Sequence, residues 1–156
     1  MIDFLISLGY AGAFIAGLLS SISIFLPSPS FIIVFILAGY LNPIAIGLLA
    51  GVGAGLGELT GYYLGRGGEK YLFKKSGRIT RWLKKFEYYF TKYNSDIVIL
   101  FVAATPLPFD FLGILCGSIK YSVKRFFLAT LGGKIIKYML IAIAGYYGMA
   151  WVSSFF

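Results

Sequence analysis

Among 156 residues the chain has no histidine and one cysteine, Cys116, and its 14 basic residues face only 6 acidic ones. Without histidine, the commonest general base near neutral pH is missing. One cysteine cannot form an intramolecular disulfide, and with no histidine beside it no soft-metal site is expected. Intramembrane acyl- and phosphotransferases need a base paired with an acid, or a carboxylate cluster for Mg²⁺, and a few acids beside lysines supply neither. The reading is a non-enzyme with no cofactor and no metal. Charge itself is scarce, at 13% against roughly 25% in a soluble domain. From Phe4 to Gly57, 54 residues pass without Asp, Glu, Lys or Arg, where about 20 apolar residues span a bilayer. The opening run has no basic stretch before it and is too long for a signal peptide. An integral protein of the cell membrane, folded as one domain, is expected.

The charge that is present is clustered. Between Arg66 and Lys92 lie nine Lys/Arg against Glu69 and Glu87, so +7 of the net +8 falls in one connecting segment. Within it Ile79, Trp82, Leu83, Phe86, Phe90 and Tyr93 recur at three- and four-residue steps, with Arg81, Lys84 and Lys85 between them. That is a helical period. A basic helix with an aromatic face, tied to membrane segments, belongs in the headgroup layer. Binding nucleic acid would require this face to leave the bilayer, so no nucleic-acid partner is expected. The positive-inside rule puts the segment in the cytoplasm.

Prolines interrupt both apolar halves. Ile97 to Ile119 is long enough to span, yet its middle reads Thr105-Pro-Leu-Pro-Phe-Asp110. Prolines break the backbone ladder, and the freed groups must be buried in protein or line a cavity. If this segment crossed the membrane, Lys120, Lys124 and Arg125 would lie outside, against the positive-inside rule. A re-entrant hairpin tipped at Pro106–Pro108 keeps them cytoplasmic. The first half repeats the pattern, with Pro27 and Pro29 in an apolar run that closes on Leu-Ala-Gly39, as Pro106 and Pro108 lead to Leu-Cys-Gly117. A further apolar run follows each hairpin, Pro43 to Leu64 and Phe126 to Phe155, carrying Gly-Tyr-Tyr at Gly61 and again at Gly145. The fold expected is therefore an all-α polytopic membrane protein. It is an inverted repeat (1–66 and 96–156) of re-entrant hairpin plus transmembrane helix, joined by the basic amphipathic linker 67–95, with both termini outside. The alternative is four plain spanning helices with both termini cytoplasmic. Proline-interrupted segments at matching positions point to a transporter with its site at the repeat interface.

The stretch Gly57-Glu-Leu-Thr-Gly-Tyr-Tyr-Leu-Gly-Arg-Gly-Gly68 adds a carboxylate that a plain anchor does not need. It resembles the Gly-Asp/Glu-x-x-x-Tyr-x-x-Gly-Arg motif of DedA proteins and their VTT-domain (SNARE-associated Golgi protein) relatives. The preceding Pro-x-Pro, the aromatic-basic linker, the later proline turn and the closing Lys124-to-Lys137 stretch agree in order. The resemblance implies two opposed re-entrant hairpins and movement of lipids across bilayers. Undecaprenyl phosphate and phosphatidylethanolamine are among the family's bacterial substrates, and its eukaryotic members are scramblases. By position Glu58 is the motif acid, Tyr62 its tyrosine and Arg66 its arginine. Two departures stand out. Ser30-Phe31 replaces the acid that usually follows the first Pro-x-Pro, and Ala103 or Ala104 on one side and Phe109 on the other stand where arginines usually flank the second turn.

Depth adds to this. At 1.5 Å per residue, Glu58 lies about 12 Å inward from Arg66, while Lys134 and Lys137 lie about 14 and 18 Å inward from Arg125. Asp110, beside the second tip, is expected near the midplane. Charges at such depth are costly and usually mark a pathway, or form structural ion pairs. Tyr62 and Tyr63 read equally well as interfacial anchors or substrate contacts. The glycines read as close-packing positions, with Gly132-Gly133 letting another element approach Lys134. The expected activity is movement of phospholipid or polyprenyl-phosphate headgroups, in a scramblase- or flippase-like manner. Lys134, Lys137 and Arg66 would meet an anionic phosphate, with Glu58 and Asp110 pairing the cations otherwise. A proton- or ion-coupled small-solute transporter and a non-transporting membrane-assembly protein remain the alternatives. Self-association into a homo-oligomer is compatible with the sequence.

Overall fold

A computed structural model of the chain describes residues 2–22, 30–75, 77–105 and 109–154. The two Pro-x-Pro tips, with Pro27, Pro29, Pro106 and Pro108, lie outside the described residues. Every element among the described residues is an α-helix: α1 (Ile2–Ile22), α2 (Ser30–Tyr40), α3 (Pro43–Lys75), α4 (Gly77–Lys92), α5 (Ser95–Ala104), α6 (Asp110–Ser118) and α7 (Val123–Ser153).

Local chemistry sets several of these ends. Asn42 caps α3, its Oδ1 accepting from the Ile44 and Ala45 amides at 3.0 and 3.3 Å. Pro43 takes the first helical position, where a missing N–H costs nothing. Thr105 is extended, at φ −89° and ψ 162°, as the residue before a proline prefers. The end of α6 closes in a Schellman turn. The Tyr121 amide donates to the Cys116 carbonyl at 2.9 Å and the Lys120 amide to the Gly117 carbonyl at 3.1 Å. Lys120 takes the left-handed conformation there, at φ 55°, a place glycine usually fills.

Two helices are long and apolar enough to cross a membrane, over Pro43–Gly68 and Val123–Trp151. They pack against each other antiparallel through a glycine ladder on α3. A Cβ added at Gly47, Gly51 or Gly55 would lie within 2.6–3.3 Å of the Cα of Met139, Ile135 or Leu131, so backbones meet where side chains would stand between them. Gly53 and Gly57, on the next face of α3, receive the Phe14 and Leu18 carbonyls of α1 in the same way. α3 runs on to Lys75, so the first residues of the expected linker continue this helix, and α4 follows after residue 76.

The arms of the two hairpins are distributed between the long helices. α1 packs on α3 and α5 on α7, each first arm on the long helix of its own half. α2 packs instead on α7, and α6 on α3. Two glycines carry the exchange. A Cβ at Gly65 would collide with the Ile114 backbone of α6, and one at Gly145 with the Phe35 backbone of α2. Neither first arm follows its long helix to the far end. Ser21, near the end of α1, lies against Gly57, while the α3 span continues to Gly68, about 16 Å further at 1.5 Å per residue. Ala104, ending α5, lies against Gly133, and the α7 span continues to Trp151. Ile32, Ile36, Leu128, Leu140 and Trp151 are exposed on the outside of the bundle.

Candidate functional site

The two first arms end beside the two glycines that precede charged residues, Gly57 before Glu58 and Gly133 before Lys134. These residues meet. Lys134 Nζ lies 2.5 Å from Glu58 Oε1, and the side chains are 7% and 1% exposed. Each stands within one helical turn of the middle of its apolar span. As the Gly132-Gly133 pair predicts, α5 comes close here, with the Leu100 carbonyl and Ala103 against Gly133. Two further hydroxyls are buried at this level, Ser21 at 2% and Thr130 at 0% exposure. Neither has a hydrogen-bond partner among the described residues. Ser21 lies against Gly57. Thr130 is one turn of α7 before Lys134, level with Glu58 because Phe126 packs its ring on Tyr62.

Both lysines of α7 also lie over phenylalanines. Lys134 Nζ is 5.1 Å from the centroid of Phe109, the residue after Pro108. Lys137 Nζ is 4.8 Å from the centroid of Phe31, two residues after Pro29. Each ring lies within cation–π range. Sequence reasoning noted Phe31 and Phe109 only as departures from a charged pattern. Their shared place behind a Pro-x-Pro was the available signal that they act alike. Lys137 therefore stands one turn from the Glu58 pair, on the α2 side of α7, and Asp110 begins α6; the Asp110 side chain lies outside the described residues.

Tyr62 and Arg66 form a second polar group, nearer the α6–α7 link. Tyr62 is fully buried, and its hydroxyl donates to the Tyr121 carbonyl while accepting from Arg66 Nη1 at 3.0 Å. Arg66 itself is exposed. Tyr121 in turn donates to Asp96 Oδ1 at 2.5 Å and packs edge-on against Phe90 of α4. Burial, and then the neighbouring Asp96, push the Tyr121 hydroxyl up to about 12, so it remains a donor throughout the physiological range. The motif tyrosine thus binds α3 to the foot of the second hairpin. Tyr146 and Tyr147, its expected echoes, are exposed on α7.

No group of three or more metal-ligating side chains occurs among the described residues. Chemically, the arrangement offers a desolvated acid–base pair at mid-span, two unsatisfied hydroxyls beside it and a second lysine one turn away. The exposed Arg66 stands two turns along α3 from Glu58.

Comparison with known proteins agrees with the motif. The VTT domain family matches residues 26–147. An uncharacterized protein of Methanocaldococcus jannaschii is 30% identical over 149 residues, covering 90% of this chain and 89% of that protein. A vacuole membrane protein of Arabidopsis thaliana is 34% identical over 107 residues, covering 57% of this chain. The chain spans about a quarter of the length of that plant relative. No solved structure matches the chain significantly.

Proposed function

For a chain that belongs to the VTT-domain family of membrane proteins, we propose that it moves lipid headgroups across the bilayer. The headgroup would pass between two re-entrant hairpins while the acyl tails stay in the membrane. The observation that carries this is the Glu58–Lys134 pair, buried at mid-span where both first arms end. Taking two charges out of water costs several kcal/mol per ion, which pairing only partly returns. Ser21 and Thr130 add buried hydroxyls without partners, each costing about 1–3 kcal/mol. A purely structural core gains nothing from such an arrangement, whereas a headgroup passing this level would find acceptors, donors and a cation. In this reading Lys134, with Lys137 one turn on and Arg66 nearer the surface, meets the phosphate. Glu58 and Asp110 hold the cations between substrates, and Tyr62 fixes the distance between Arg66 and the second hairpin.

The exchanged packing of α2 and α6 supports an inverted repeat, because swapping the halves leaves the pattern of neighbours unchanged. The arms of the second hairpin are too short to cross. α5 has 10 residues and α6 has 9, about 15 and 14 Å at 1.5 Å per residue, where the hydrocarbon layer is about 30 Å thick. The exposed basic residues of α4, Arg81, Lys84 and Lys85, fit a helix lying at the cytoplasmic headgroup layer.

The deciding experiment uses purified protein in liposomes containing a trace of headgroup-labelled phospholipid, with an impermeant quencher added outside. The protein is expected to raise quenching from about half of the signal towards all of it, as inner-leaflet lipid reaches the outside. Loss of the outer-leaflet signal alone, at the rate of protein-free liposomes, removes the transport reading.

A further inference from the structure

A groove of about 280 Å³ opens between α5 and α7, lined by Asp96, Ile97, Leu100, Arg125, Leu128 and Ala129. Its place follows from the packing of the two helices. Gly133 brings α7 onto the Leu100 carbonyl and Ala103, which closes the inner end. One turn nearer the helix starts, Ala129 contributes only a methyl group, and space remains opposite Leu100. Ile97, Leu100 and Leu128 are exposed, so the groove opens sideways, on the face where other large apolar side chains also lie bare.

Only one end of the groove is polar. Asp96 and Arg125 stand in the first turns of α5 and α7, and Asp96 already accepts the Tyr121 hydroxyl. Arg125, exposed, is the cation lining this mouth, and the acid beside it is already engaged. Lys124, also exposed, directly precedes Arg125 in the chain. We propose that the groove holds an anionic glycerophospholipid, one acyl chain along Ile97, Leu100, Leu128 and Ala129 and its phosphate at Arg125. The guanidinium fork suits a phosphate's paired oxygens. The volume is just under the ~300 Å³ where pockets enclosing a whole drug-sized ligand begin, so the groove takes the upper part of one chain and leaves the headgroup outside. This site goes beyond the transport reading and does not rest on it, since a lipid bound here need not be moved.

The test is retention. The full chain is reconstituted in vesicles of equal phosphatidylcholine and phosphatidylglycerol, extracted in mild detergent and weighed by native mass spectrometry. The wild type is expected to keep one phospholipid per chain, several-fold enriched in phosphatidylglycerol. Arg125→Gln should abolish the enrichment, and Ala129→Phe, which fills the groove, should cut retention several-fold. Thermal unfolding of each variant checks its fold. If Ala129→Phe does not fold, the exposed pair Ile97→Ser and Leu128→Ser takes its place, with the same loss expected. Retention unchanged when the groove is filled or made polar overturns the proposal, as does enrichment that survives Arg125→Gln. A mass equal to two chains without lipid assigns the groove to a second copy and overturns it too. Because no transport is measured, failure here leaves the transport reading standing, and the reverse.

Discussion

A carboxylate and an ammonium 2.5 Å apart at mid-span hold each other at the expense of both hydration shells. Removing one partner leaves the other charge stranded, which typically costs about 3–5 kcal/mol. Glu58→Gln and Lys134→Met are each expected to lower stability by that order and to lower transport with it. The double variant separates structure from chemistry, because it removes the stranded charge and keeps the volume. Stability should return in Glu58→Gln/Lys134→Met while transport stays low, since the cation beside Glu58 is gone and Lys137 lies a turn further along α7. Thermal unfolding and liposome transport of all four proteins decide it, and recovered transport in the double variant would reduce the pair to a structural tie. The partnership itself was legible from equal depths on two helices. Phe31 and Phe109 were not, because an aromatic ring in an apolar run looks like any other core side chain until a cation is seen over it. Lys120 was read only as a flanking charge. Its left-handed backbone belongs to the Schellman turn that ends α6, which a sequence without glycine at that place does not signal.

Among the elements, α3 bears the densest set of close approaches, and its glycines are not equivalent. A Cβ at Gly65 would collide with the backbone of Ile114, whereas one at Gly67, two residues on, meets nothing within 4 Å. Gly65→Ala is expected to push α6 away and lower stability by about 1–3 kcal/mol, the usual cost of overpacking. Gly67→Ala should be neutral or stabilising by up to about 1 kcal/mol, the helix-propensity gain of alanine over glycine. Melting temperatures of the two variants in one detergent check this, and equal shifts would mean that α6 is not seated on α3. α1 ends at Ile22 and α5 at Ala104, each ahead of its Pro-x-Pro, where the prolines lead one to expect an end; the prolines themselves lie outside the described residues. The repeated Gly-Tyr-Tyr was misleading as a register mark. Gly65 and Gly145 share a task, but the tyrosine pair precedes one and follows the other, so Tyr62 is buried where Tyr146 is exposed. A glycine's place is dictated by the backbone it touches, and the touching backbone lies about 50 residues away in one half and 110 in the other.

For the molecule as a whole, topology follows from where the helix ends meet. The hydrogen bond from Tyr121 to Asp96 draws the start of α5 and the end of α6 together. Single cysteines at Ser95 and Ser122 are therefore expected to react with an impermeant thiol reagent from the same face, the cytoplasmic one if α4 lies there. The background is Cys116→Ala, because Cys116 is buried and alanine avoids placing a hydroxyl in its apolar site. Labelling of the two positions from opposite faces would restore four plain spanning helices.

The exchange of arms also sets an order of assembly. α2 is complete by Tyr40, but the helix it packs on, α7, begins at Val123. A ribosome therefore releases some eighty residues while one face of α2 has only lipid, or the insertion machinery, as its neighbour. α6 waits for nothing, because α3 is made before it. The N-terminal half is thus an unfinished receptor for the C-terminal half, and the native packing of the first hairpin is the last to close. Contacts so distant along the chain are slow to form. The step most exposed to misassembly comes only once α7 has been made.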